Sequence, residues 1–302
     1  MSPPAAQMRP SDNLQGALWM LGGALTFTAM ASLIKYLGEG YSPALQLFYR
    51  QAAAIIVLAP IILRNPVGVL RTSRFGMLSM RAIGTTVAIM LAFYSYQHMP
   101  LAEANALSFT RTLWMVPLAV FLLGERIGAW RLGATLVGFG GVLLILQPSA
   151  QMELGLPAAA ALASAAIFAL TVTGVKFMSR DHSVTALTAW AAVLGFMLAV
   201  PFAIATWRWP TPIDALLLTA MGLLGLVTQV CAIKGMQLGD AAAMAPIDYT
   251  RLVFAIIVGA LFFSDLPTPI TLLGSLIIIG STLVITLRDL RRAKTPPPAT
   301  PE

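Results

Sequence analysis

The sequence predicts an all-α integral membrane protein, with ten transmembrane helices set as two inverted five-helix repeats. Three observations lead there. Of 302 residues, 58% are hydrophobic and only 10% are charged, with a mean hydropathy of +0.82; a soluble domain carries roughly 25% charged residues. The apolar residues fall into ten runs, each near the roughly 20 residues a spanning helix needs. Runs in the second half of the chain match runs in the first at nearly constant spacing. In hydrocarbon only helices and closed barrels satisfy every backbone donor and acceptor, and these runs lack the alternation of a barrel strand.

Residues 1–13 hold three prolines and little to bury, and are expected to stay disordered. The spans are placed at Leu14–Leu37, Pro43–Leu63, Phe75–Gln97, Leu101–Leu123, Ile127–Leu146, Leu156–Met178, Val184–Thr206, Pro212–Met236, Ala241–Phe263 and Pro267–Leu287. Ala29-Met30-Ala31 has the look of a signal-peptide cleavage site. The apolar run continues past it and only Arg9 precedes it, so the run reads as the first span. Ser42-Pro43 and Thr211-Pro212-Ile213-Asp214 supply a hydroxyl cap and a proline at the first helical position, the second adding an acid. The longest connection, Arg64–Arg74, carries three arginines and is expected along the headgroups. Residues 295–302, TPPPATPE, form a proline-rich tail expected to be disordered.

The formal charge is +7. The bases sit mostly in short loops, a pattern that orients a membrane protein and needs no nucleic acid as partner. Fourteen Lys and Arg fall on the side that holds the termini, against Lys35 and Arg208 on the other. Both termini are therefore expected in the cytoplasm. The lone Cys231 excludes a disulfide, and with His98 and His182 as the only histidines no metal set is expected. No cofactor is expected either.

Two pairs of segments carry the repeat. A shift of 141 overlays the first on the sixth, setting Phe27 on Phe168, Lys35 on Lys176, Ser42 on Ser183 and Tyr49 on Trp190. A shift of 137 overlays the start of the fourth on the ninth, pairing Glu103 with Asp240 and Arg111 with Asp248. Three extra residues in the later copy then bring Gly124-Glu125 opposite Ser264-Asp265. The halves, residues 14–147 and 155–287, each hold an odd number of spans, so the second runs through the membrane upside down. Inverted repeats of this kind recur in secondary transporters, with the solute site near the midplane at the repeat interface.

Leu18-Trp19 in the first span, Lys35 near its end, Arg50 in the second, Leu123-Gly124-Glu125-Arg126, Leu132-Gly133 and Gly140-Gly141 make the chain resemble the drug/metabolite transporter superfamily, EamA type. Ser264-Asp265-Leu266-Pro267 departs from that turn in the second copy, although Leu273-Gly274 and Gly280 remain. Within the superfamily the chain is similar to bacterial exporters of aromatic and other neutral amino acids (the YddG group). That resemblance implies export of such amino acids from cytoplasm to periplasm.

A charge at membrane depth costs about 2.5–3.5 kcal/mol on insertion scales, so it meets a partner, a cavity or a ligand path. Ser108, Arg111, Thr112 and Met115 make one polar stripe on the fourth span, and Ala245, Asp248, Arg251 and Ala255 one on the ninth. Asp248 reads either as a salt-bridge partner of Arg111 or Arg251, or as a site for a proton or a substrate ammonium. Pro117 and Pro246 free backbone carbonyls beside these stripes. Tyr49, Tyr94, Trp114, Trp190 and Tyr249, with His98 one turn from Tyr94, could line a solute path or simply pack. Arg50 either snorkels to the surface or faces the cavity. Ala134, Gly138 and Gly141 fit close helix contact. No Gly-x-x-x-x-Gly-Lys-Ser/Thr run occurs, and no paired acids or nucleophile–base set lies at depth. The expectation is a secondary carrier of a small solute with protons as candidate coupling ions, against an uncoupled facilitator, a carrier for another metabolite or drug, a membrane-embedded enzyme, or a receptor.

Overall fold

Proline fits the first turn of a helix, where a missing N–H costs nothing. Pro10 accordingly opens α1 (Pro10–Tyr36), and residues 10–13, expected to be disordered, are helical instead. A 3-10 turn at Leu37–Glu39 follows. Then come α2 (Pro43–Arg64), α3 (Phe75–His98), α4 (Leu101–Ser108), α5 (Arg111–Leu123), α6 (Ala129–Leu146), α7 (Leu156–Met178), α8 (Val184–Ala205), α9 (Pro212–Leu238), α10 (Thr250–Phe263) and α11 (Pro269–Lys294). The computed structural model describes residues 10–64, 75–123, 129–146, 155–178, 184–238, 244 and 247–294. Both distal tails, most of the arginine-rich connection, the Gly124–Arg126 turn, Asp240, Ala245 and Pro246 lie outside the described residues.

Among the described residues, five stretches are long and apolar enough to cross a bilayer: Leu14–Glu39, Pro43–Arg64, Leu78–His98, Pro212–Gly235 and Pro269–Leu287. With the shorter apolar helices they make the ten membrane segments, the fourth of them divided into α4 and α5. Both predicted caps are present. Leu45 N–H donates to Ser42 Oγ at 3.2 Å, and Asp214 N–H donates to Thr211 Oγ1 at 3.2 Å. The outer faces stay apolar: Leu63, Phe121, Phe262 and Leu276 are exposed, as a lipid-facing surface requires.

The helix pairing is two-fold. α1 packs on α9, and α3 on α7; α2 touches α9, and α3 touches α8; α1 meets α10, while α7 meets α4 and α5. α2 pairs with α8 and α6 with α11. Exchanging each segment with its counterpart five places on maps these pairs onto one another. Lipid tails give no hydrophobic drive for this packing, so close backbone approach and interhelical hydrogen bonds carry it. α6 and α11 cross where glycine faces glycine: a Cβ on Gly141 would lie 2.8 Å from Gly274 O, and one on Gly274 2.7 Å from Gly141 O. Ser164 Oγ donates to Ala88 O at 2.7 Å across α7 and α3, and Thr228 Oγ1 to Thr26 Oγ1 at 2.9 Å across α9 and α1.

The fourth segment breaks at Phe109-Thr110, well before Pro117, which sits inside α5. Hydroxyls bond back to the preceding turn on either side of the break. Ser108 Oγ donates to Asn105 O at 2.7 Å and Thr110 Oγ1 to Leu107 O at 2.6 Å. The ninth segment repeats the device at Tyr249, where Thr250 Oγ1 donates to Ile247 O at 2.7 Å. Thr112 N–H bonds Phe109 O at 3.2 Å, and Leu252 N–H bonds Tyr249 O at 3.0 Å. These matched breaks set the register between the copies at 140, with Ser108-Phe109-Thr110-Arg111 on Asp248-Tyr249-Thr250-Arg251. The shift of 137 is therefore wrong by three residues, and no insertion is needed to bring Gly124 onto Ser264. Arg111 corresponds to Arg251, and Asp248 to Ser108. The charges at equivalent positions have the same sign, not opposite ones.

Candidate functional site

The two breaks meet at the pseudo-two-fold. Phe109 and Tyr249 occupy equivalent positions and touch edge to face, their ring centroids 4.7 Å apart. Around them opens a cavity of about 480 Å³ lined from α1, α2, α3, α4, α5, α7, α9, α10 and α11, within the roughly 300–1,000 Å³ of small-molecule sites. Its polar wall holds Arg50, Ser108, Arg111, Thr112, Asp248 and Arg251, with Ser95, Ser164 and Thr228; its apolar wall includes Phe27, Phe93, Tyr96, Phe109, Phe168 and Tyr249.

Arg251 is held on three sides. Its Nη2 donates to Asp248 Oδ2 at 2.6 Å and its Nε to Asp248 O at 3.2 Å. The guanidinium lies 4.7 Å from the Phe27 ring centroid and 5.0 Å from that of Phe109. Such cation–π contacts favour a desolvated guanidinium. Asp248 thus pairs one turn along its own segment, and of its two expected partners the structure selects Arg251 over Arg111.

Arg111 occupies the equivalent place without the acid, since Ser108 stands where Asp248 would. The counterparts of the rings that hold Arg251 are Phe168 and Tyr249, and both line the cavity with Arg111. Arg111 makes no ion pair among the described residues, and its side chain is open to the cavity. Tyr249 is anchored from behind, its hydroxyl donating to Thr282 Oγ1 at 2.6 Å.

Of the residues expected at the site, Ser108, Tyr249, Arg50, Arg111, Asp248 and Arg251 come together here. Tyr49, Tyr94, His98, Trp114 and Trp190 do not line this cavity. Tyr49 packs edge to face on Phe48 at 5.5 Å beside Leu37, Tyr41 and Leu218. Tyr94 and His98 stack at 4.3 Å, and the His98 ring nitrogen bonds Tyr94 O at 2.8 Å on an exposed helix end. Trp114 packs on Phe139 at 5.1 Å and Trp190 on Phe75 at 5.5 Å. Met115 of the polar stripe is absent from the wall, and Ala255 is buried in the apolar core.

Sequence reasoning missed Phe27, Tyr96, Phe109 and Phe168. The signal for two of them was present, since Phe27 and Phe168 matched across the repeat. Phe109 was hidden by the misplaced register that separated it from Tyr249. Tyr96 lies two residues from Tyr94 on a helix with apolar residues on every side, where periodicity does not tell which face looks inward.

At the end of the bundle opposite α1's start the cavity is shut. Lys35 pairs with Asp265, donates to Met99 O at 3.2 Å and sits 5.1 Å from the Phe263 ring centroid. Beside it Thr271 donates to Glu103 Oε1 at 3.3 Å. At the other end, Met20 of α1, Ala232 of α9 and Thr286 of α11 continue the cavity wall.

The description "EamA-like transporter family" matches residues 14–147 and again 156–287. The S-adenosylmethionine uptake transporter of Rickettsia bellii is 29% identical over 89% of this chain and 92% of its own length. The riboflavin transporter of Rhizobium johnstonii is 26% identical over 98% of this chain and 99% of its own. Neither is named as an amino-acid exporter. A solved crystal structure of a protein 20% identical to this chain shares the fold, with a TM-score of 0.62 over 93% of this chain and 98% of that one. Matched in both halves and built as two inverted repeats around a central cavity, the chain belongs to the EamA-like transporter family.

Proposed function

We propose that the protein is a secondary carrier moving a small metabolite with a flat or apolar part and a carboxylate. The solute would cross by alternating access through the cavity between its repeats, residues 14–147 and 155–287. One observation carries the reading: Arg111, which makes no ion pair among the described residues while Asp248 is taken by Arg251, faces a chamber walled by Phe109, Phe168 and Tyr249. A guanidinium presents a planar fork of donors to a carboxylate, and the rings suit a planar or apolar body. Export of neutral and aromatic amino acids from cytoplasm to periplasm is the narrower form of this proposal. S-adenosylmethionine and riboflavin, the solutes in the names of two relatives, also carry a flat heterocycle, and the cavity is larger than an amino acid needs.

In this reading Arg50, Arg111, Asp248 and Arg251 are the intramembrane charges that respond to solute, with Ser108 and Tyr249 beside them. Asp248 is the candidate proton carrier, and an uncoupled facilitator is the alternative. Proteoliposomes offered labelled amino acids, S-adenosylmethionine and riboflavin test the proposal. Saturable uptake of at least one, lost in Arg111→Gln, is the expected result. Uptake no faster than in protein-free vesicles for every solute would sink it. The proposed orientation, with both termini cytoplasmic in a bacterial inner membrane, is tested by fusing a cytoplasm-only fluorescent reporter to the C-terminus, which is expected to be bright.

A further inference from the structure

Beside the central cavity lies a smaller chamber of about 130 Å³ between α2, α3, α8 and α9. Its polar lining is Arg50, Gln51, Arg81, Thr85 and Gln229, and Arg50 and Ile89 belong to both walls. Arg81 was expected within the third span, on the side of the termini, and it lies there in α3, inside the apolar stretch Leu78–His98, with its Nε buried and lacking a hydrogen-bond partner. No carboxylate lines the chamber, and among the described residues neither Arg50 nor Arg81 makes an ion pair.

Two guanidinium groups line one small space within the helices, and each is costly there without a counter-charge. Among the described residues the wall supplies none, which leaves the place of the negative charge to a ligand. We propose that this chamber is an anion subsite, taking a carboxylate or phosphate group of the solute held in the central cavity. The inference rests on the carrier reading but not on its narrower form: a solute with a second acidic group beyond the one facing Arg111 is favoured over a neutral amino acid. The chamber's size suits one such group and not a whole metabolite. Arg50 lines both spaces, and a group of the solute would pass from one to the other beside it. Arg81 supplies the fork that binds the anion, with Thr85 and Gln229 as further donors.

The test uses the full chain in nanodiscs of neutral lipid, with thermal unfolding followed by tryptophan fluorescence. The probes are inorganic phosphate and citrate, against sodium chloride at matched ionic strength. Phosphate or citrate is expected to raise Tm saturably where chloride does not. Arg81→Gln should raise the half-saturating concentration about tenfold or more, the scale of one charge-assisted hydrogen bond. Arg81→Lys, which keeps the charge, should retain part of the effect. Gln229→Leu, which leaves both arginines in place, provides a second reading if Arg81→Gln does not fold, and should weaken the effect too. An anion effect no larger than that of chloride overturns the proposal, as does one equal in wild type and the variants. So does stabilisation by anionic lipid in the discs with none from free anions, which would assign the chamber to a headgroup. Vesicle flux is measured separately. Loss of flux with the anion effect intact counts against the carrier, and flux without an anion effect counts against the subsite.

Discussion

Arg251 and Arg111 begin from the same place in the two copies and differ through one residue each, Asp248 against Ser108. Arg251 is neutralised locally and clamped by Phe27 and Phe109, while Arg111 is left to whatever enters the cavity. Asp248→Asn should therefore release the clamp, lowering uptake by about tenfold or more, a barrier change of roughly 1.4 kcal/mol. It should also flatten the pH dependence of uptake in a series of buffered vesicles; unchanged rate and unchanged profile would remove Asp248 from the mechanism. Tyr249→Phe keeps the ring on Phe109 but gives up the bond to Thr282, so Tm should fall by the equivalent of about 1 kcal/mol. Legibility at this scale was partial. The charged residues could be read directly, because few ionisable groups occur inside apolar runs. Which aromatic faces the cavity could not be read, because aromatic residues occur on several faces of these helices and Trp114 and Trp190 find packing partners as readily as Phe109 finds Tyr249.

At the scale of elements, the broken fourth and ninth segments matter most. A proline signals a break in the sequence, yet the chain breaks where hydroxyl side chains bond back to carbonyls one turn earlier. That cue is weak in a sequence, since serine and threonine also sit harmlessly in straight helices. The end of α10 shows a second local device. Ser264 adopts φ 55, and Asp265 N–H bonds Gly259 O at 2.9 Å, a helix stop that normally uses glycine. The equivalent position in the first copy is Gly124. Ser264→Gly should raise stability by about 1 kcal/mol, the cost of a left-handed residue with a Cβ, measured as a higher Tm. The α6–α11 crossing should respond in the opposite sense. Gly141→Leu forces a side chain against the Gly274 carbonyl and should destabilise the protein by at least about 1–3 kcal/mol, the usual cost of overpacking, again read from Tm.

For the whole molecule, the closed end formed by Lys35, Asp265, Glu103 and Thr271 sets what alternating access has to open. Lys35→Glu would place a third acid there, and like charges at close range disfavour the closed arrangement. With Cys231 replaced by serine, a cysteine at the buried cavity residue Ala104 should become labelled by an impermeant thiol reagent from that side in Lys35→Glu and stay unlabelled otherwise; equal labelling in both would show that this cluster does not hold the end shut. Composition and periodicity alone determined that the chain is all-helical, where its spans fall and that it is duplicated, because a bilayer imposes length and apolarity on each segment independently of its neighbours. Tertiary structure alone decided the register of the fourth segment on the ninth, the partner of Asp248, the rings that face the cavity and the meeting of Arg81 with Arg50 in one chamber. Those depend on which faces meet across helices far apart in sequence, and a uniformly apolar helix carries no mark of its own to say which face that is.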